Sequence, residues 1–261
     1  MNVFPTIKLV VLLFVSMCWP TIRAQEGNLL FYEDFKGNSL DTTKWNYELG
    51  DGCPELCGWG NNELQFYDKN SVTLQGGYLH ITATKKDRRY YSGKITTKNK
   101  VEFTYGTVEV RAKLPKGEGV WPAIWLLGAD IDEVGWPKSG EIDLMEYVGK
   151  TPHEIHTTLH TPASYGDTYT TKVTKIPSIE EGFHVYKTIW TKESISFYID
   201  DKEVYTYAPE QKTPENWPFD KNFYLIINMA IGGNLGGPNV DDTIFPVDFL
   251  IDYVKVYKEG K

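Results

Sequence analysis

Helical periodicity is nearly absent from this chain of 261 residues. No window long enough for a stable helix escapes glycine, proline or β-branched residues, and only 178–183 and 214–220 could hold single turns. The sequence also lacks G-x-S-x-G, a Walker loop and H-E-x-x-H, while GGNLGG at 232–237 does not have the spacing of a dinucleotide loop. There is no N-x-S/T sequon, internal repeat, linker or low-complexity tract. Serine-nucleophile, nucleotide and zincin chemistries therefore have no motif to rest on.

Cysteine is scarce too. Of the three, Cys18 lies in an N-terminal apolar run, and Cys53 and Cys57 form C-P-E-L-C, two ligands short of a zinc site. A local disulfide is expected in an exported protein, with free buried thiols as the alternative. The apolar run, Leu9 to Trp19, follows Lys8 and precedes the small Ala24; it is too short to span a bilayer and has the length of a secretory signal. Residues 1–24 are therefore expected to be removed, leaving 25–261 as one domain, secreted to the periplasm or the medium. Positive charge is in deficit: the net charge of -8 becomes -10 once Lys8 and Arg23 leave. Such a chain does not attract nucleic acid or anionic membrane.

What is present is alternation. In TVEVRAKL, Val108, Val110, Ala112 and Leu114 point one way and Thr107, Glu109, Arg111 and Lys113 the other. SISFYID repeats the pattern with Ile195, Phe197 and Ile199, and Asp200-Asp201 then reads as a hairpin turn into KEVYTY. FYLIINMAIGG, from Phe223, is apolar on both faces, as a central strand requires. The fold class is all-β: a sandwich of two antiparallel sheets packed face to face.

One strand breaks the pattern. SGEIDLMEYVG, 139–149, carries Glu141, Asp143 and Glu146 among apolar residues, with no Lys or Arg between Gly140 and Gly149 to pair with them. Glu141 and Asp143 share a face; strict alternation would turn Glu146 into the core, where an unpaired charge is untenable. A bulge at Leu144-Met145 would return Glu146 to its fellows and place Tyr147 inward. A solvated outer face is the bland reading. Against it stand Trp121, Trp125, Trp136 and Tyr147, flat apolar surfaces of the kind that stack on pyranose rings. Two carboxyl groups about a glycosidic bond are the usual apparatus for its hydrolysis, and crowding three acids raises at least one pKa so that a donor and an ionised partner coexist.

GEIDLMEYVG, preceded by WPAIWLLG and WPKSG and followed by TTLH at 157–160, resembles glycoside hydrolase family 16, in its laminarinase-like, β-1,3-glucan-cleaving branch. FYEDFKGNSLDTTKW, WGNNELQFY at 59–67, YGTVEVRAKLP, FHVYKTIWTKESISFYID, NMAIGGN and IDYVKVY extend the resemblance over the chain from 25 on. It implies a concanavalin-like β-jelly roll with a substrate cleft on the concave sheet, and a retaining mechanism. Glu141 would be the nucleophile, Glu146 the general acid/base, and Asp143 a hydrogen-bonding neighbour that sets their protonation. Trp121, Trp125 and Trp136 would line subsites, Asn61 would bond to sugar hydroxyls, and His160 would support the carboxylates, with His156 on the same face by parity. Trp45 and Trp190 read as core. Leu235 stands where many relatives carry an aromatic residue after GGN. The resemblance implies no catalytic cofactor and a structural Ca²⁺ on the convex side, held by the backbone oxygens of Glu33 and Gly77 and the carboxylate of Asp252. The expected partner is β-glucan, met by a monomer. Mixed-linkage β-1,3-1,4-glucan and algal galactan are the competing substrates, and a non-catalytic glucan-binding module is the competing class.

Overall fold

The protein is described by a computed structural model covering residues 28–168 and 170–259. The stretch read as a secretory signal lies outside the described residues. Within them, two sheets of ten and eight strands carry the fold, and neither α-helical segment exceeds four residues. No helix there is long and apolar enough to cross a membrane.

The larger sheet runs in the order Lys202–Tyr207, Ile195–Ile199, His184–Trp190, Gly106–Lys113, Val247–Tyr257, Tyr78–Lys86, Arg89–Ser92 and Gln65–Tyr67; Leu29–Glu33 and Val72–Gln75 pair alongside it. Its one parallel pair is Gln65–Tyr67 with Arg89–Ser92. The smaller sheet runs Thr171–Lys175, Glu154–His160, Glu141–Tyr147, Val120–Gly128, Phe223–Ile231, Lys94–Thr96 and Asn46–Tyr47, with Glu102–Phe103 also paired to Phe223–Ile231. Together they form the expected all-β jelly-roll sandwich. Neighbours in sequence are often not neighbours in the sheet, as when Val120–Gly128 joins Phe223–Ile231 along nine residue pairs.

The core lies between the sheets, where their inward residues meet. Val108, Val110, Ala112 and Leu114 are buried from one side, and Ile142, Ile155, Leu159, Leu225 and Ile227 from the other. Trp45 and Trp190 are fully buried, and Trp190 meets Phe103, Tyr105 and Phe223. Removing such a ring costs about 3–5 kcal/mol, because transfer and cavity terms add. Every residue of Phe223–Ile231 is buried, as a central strand demands. The Asp200-Asp201 turn has φ of 49° and 63°, the two positive values that a type I′ hairpin needs. Cys53 and Cys57 are joined as a disulfide.

Candidate active site

The acidic strand is Glu141–Tyr147, and its ends are fixed by glycines. Gly140 has a φ of +71°, a left-handed value that other residues adopt at a cost. At Gly149 an added Cβ would lie 1.7 Å from the Gly117 carbonyl oxygen, so no side chain fits.

Between these ends the ladder slips. On one side Trp125 faces Asp143 while Ala123 faces Glu146; on the other Thr158 faces Asp143 and His156 faces Glu146. Leu144 and Met145 together therefore span a position where each neighbour contributes one residue fewer, and both side chains, with Tyr147, lie in the core. The bulge anticipated from parity is present. Its physical effect is to keep three carboxylates on one face without burying an unpaired charge between the sheets.

Each glutamate is held by an indole. Trp136 Nε1–H donates to Glu141 Oε2 at 3.1 Å, and Trp121 Nε1–H donates to Glu146 Oε1 at the same distance. Thr158 Oγ–H donates to Glu146 Oε2 at 3.3 Å. Asp143 lies between them, only 3% exposed, and has no indole donor. His160 Nε2 stands 3.6 Å from Glu141 Oε1 and 3.4 Å from Asp143 Oδ2.

Burial, first of all, pushes all three acids upward. Glu141 is raised to about 8 by burial and then by the charge of Asp143, while His160 and the Trp136 N–H pull the other way. Asp143 is raised well above its ordinary range by burial and then by Glu146. Glu146 is raised by burial, against His160, His156 and the Trp121 and Thr158 donors. Burial and mutual repulsion together oppose three simultaneous negative charges on this face.

The structure brings Glu141, Asp143, Glu146, Trp121, Trp136 and His160 into one group, with Trp125 beside Asp143 in the register. The three tryptophans differ in what they present. Trp136 is 45% exposed and Trp125 partly exposed, but Trp121 is 9% exposed, its ring packed with Val148, Ala230 and Leu235, so it offers the site its N–H rather than its face. Leu235, at the position where many relatives carry an aromatic residue, packs against Trp121. Asn61 donates to Glu63 Oε1 at 3.3 Å, and its backbone oxygen would meet a Cβ placed on Gly233. It thus forms the wall beyond Trp121.

Five further residues connect to this face. Thr158 shares parity with His160, and TTLH already contained that signal. Asn228 is the one polar side chain in an apolar strand; it accepts from Trp125 Nε1–H at 2.7 Å and donates to the Tyr67 hydroxyl at 2.9 Å. Tyr67 in turn donates to Glu63, which also accepts from Gln65. No local pattern linked 63–67 to 228, because 161 residues separate Tyr67 from Asn228.

The positions expected to hold calcium lie on the other sheet. Glu33 pairs with Val254 and Leu79 with Ile251, which places Glu33, Gly77 and Asp252 on or beside adjacent strands there. Asp252 Oδ2 accepts from the Arg111 guanidinium, and the Glu33 side chain pairs with Lys44 at 3.0 Å. Asp252 Oδ1 and the two backbone carbonyls remain as the donor set, below the six to eight oxygens of a calcium shell unless water completes it.

Residues 57–244 match the family model described as glycosyl hydrolases family 16. The crystal structure of a laminarinase from Flavobacterium sp. UMI-01 superposes with a TM-score of 0.87 at 57% identity, covering 88% of this chain and 100% of that one. A β-glucanase from Rhodothermus marinus is 40% identical over 255 residues, 90% of this chain and 87% of the relative. Glucan endo-1,3-beta-glucosidase A1 from Niallia circulans is 39% identical over 277 residues; the alignment takes in 94% of this chain and only 40% of that longer protein. The acidic strand, its flanking loops and most of both sheets fall inside the family match, and the chain belongs to glycosyl hydrolase family 16.

Proposed function

We propose that the protein is an endo-acting β-1,3-glucanase that cleaves laminarin-type chains with retention of anomeric configuration. The observation that carries the reading is the pairing of Glu141 and Glu146 on one bulged face, each held by its own indole, with a buried acid between them. In the first step the Glu141 carboxylate attacks the anomeric carbon while Glu146 gives its proton to the departing glycosidic oxygen. The carbon–oxygen bond of the linkage breaks as the glycosyl ester forms. In the second step Glu146, now ionised, takes a proton from water; the resulting hydroxide equivalent opens the ester and restores Glu141. Asp143, buried beside Glu141, tunes the charge of the nucleophile through their proximity. Trp121 and Thr158 stabilise Glu146 in the ionised form that it must hold between the two steps.

No group in this scheme requires a cofactor. A structural Ca²⁺ at Asp252 Oδ1 and the carbonyls of Glu33 and Gly77 is part of the proposal, remote from the reaction. So is export, since a polymeric glucan does not enter a cell; sequencing of the N-terminus in the secreted product checks it. Monomeric action is part of it as well, and light scattering showing a dimer would contradict that. A glucan-binding module has no need of three crowded acids, which favours the enzyme over that alternative.

The test is Glu146→Gln. Activity on laminarin should fall by about 10²–10⁴, the usual worth of general acid catalysis, and far less on an aryl glycoside whose leaving group needs no proton. Equal losses on the two substrates would remove Glu146 from the acid's role.

A further inference from the structure

We infer that Tyr165 and Trp136 form a sugar-stacking corner at the edge of the acidic face, and that this corner selects a chain which bends from one glucosyl unit to the next. The inference rests on the β-glucanase reading above.

Tyr165 is 53% exposed and Trp136 45%, and their rings meet at 5.3 Å with planes 79° apart. The pair is continuous with the catalytic group, because Trp136 donates to Glu141 and its ring lies 5.6 Å from His160. It lies on the flank away from Trp125: His160 belongs to the strand on one side of the acidic strand, and Trp125 to the strand on the other.

Tyr165 is held out rather than left loose. Thr161 and Ser164 exchange backbone hydrogen bonds of 2.9 and 3.0 Å, and Ala163 N–H donates to the Glu215 carbonyl at 2.8 Å, which ties the turn to the 213–217 loop. The Ser164 hydroxyl bonds to Thr168, and Thr168 to Thr170, which in turn donates to the Leu159 carbonyl. Ser164, Thr168 and Thr170 are all buried. A half-exposed phenol on a buried, hydroxyl-pinned turn has little conformational entropy to lose when a ligand stacks on it.

The occupant is the glucan itself. Two rings set nearly at right angles cannot both stack on coplanar sugar faces. A β-1,4-linked chain is a flat ribbon whose successive rings present parallel faces, whereas β-1,3 linkage turns the chain into an open helix whose faces rotate. The corner therefore matches consecutive units of a β-1,3 chain and mismatches a run of β-1,4 links.

Wild-type enzyme, Tyr165→Ala and Tyr165→Phe should be compared on laminari-oligosaccharides of increasing length, and on barley mixed-linkage glucan. Tyr165→Ala should lower kcat/KM by about threefold to tenfold on oligosaccharides long enough to reach the corner, mainly through KM, with no change on the shortest one cleaved. The loss on mixed-linkage glucan should be smaller, and Tyr165→Phe should stay within about twofold of wild type, since stacking uses the ring and not the hydroxyl. An unchanged length series, a loss uniform over all lengths, or equal damage in both variants would overturn the corner. A wild-type protein inactive on every β-glucan would instead overturn the reading beneath it.

Discussion

Replacing Glu141 by glutamine tests the electrostatics of the acidic face without relying on turnover. The unfolded carboxyl ionises near 4.5, whereas in the folded chain burial and then Asp143 push Glu141 up to about 8. Below 4.5 both states carry the proton and the folded chain pays no penalty. Between 4.5 and 8 the unfolded chain gives up its proton first, so stability is lost as pH rises through that window. At about 1.4 kcal/mol per pH unit the ceiling is about 5 kcal/mol. Part of the rise is repulsion shared among coupled acids and does not all appear as a Glu141 penalty, so the working value is about 2 kcal/mol. The neutral isostere escapes this loss while still accepting from Trp136. Thermal unfolding of both proteins at pH 4.5 and pH 8.5 should therefore show the Glu141→Gln variant gaining on wild type by about 4–8 °C at the higher pH, given about 2–4 °C per kcal/mol in a domain of this size. A difference between the two proteins that stays constant from pH 4.5 to 8.5 would mean that Glu141 titrates normally, and that the crowding inferred here is illusory.

Two other expectations are simpler to check. Proton NMR during the first turnovers on laminarin should show the β anomer appearing before mutarotation, and initial α product would contradict a covalent intermediate on Glu141. Chelation with EGTA should lower the thermal midpoint and added Ca²⁺ should restore it, with kcat unchanged in the cold; a midpoint indifferent to both would dismiss the Glu33–Gly77–Asp252 site.

The bulge was legible because charge and parity conflict within seven residues: Glu146 could not face the core, and one inserted residue was the least change that freed it. The alternation around Val108 and Val110, and the Asp200-Asp201 turn, were equally local and were realised as written. Trp121 marks where that kind of inference stops. Its place in WPAIWLLG gives the face it lies on, but whether that face is open depends on Leu235, which packs on it from a segment more than a hundred residues away. Trp125 is similar, since its N–H is fixed by Asn228 across the sheet and not by anything nearby in sequence.

By itself, then, the sequence determined the class of fold, the strand that carries the acids and the side of that strand they share, because alternation and charge burial act over two to six residues. Tertiary structure alone decided which donors each glutamate would have, which tryptophan stays open to solvent, and that Tyr165 stands against Trp136. Those outcomes depend on loops and strands that meet only when the sheets close, and hydrogen bonds and ring contacts are made across a few ångströms of space regardless of distance along the chain.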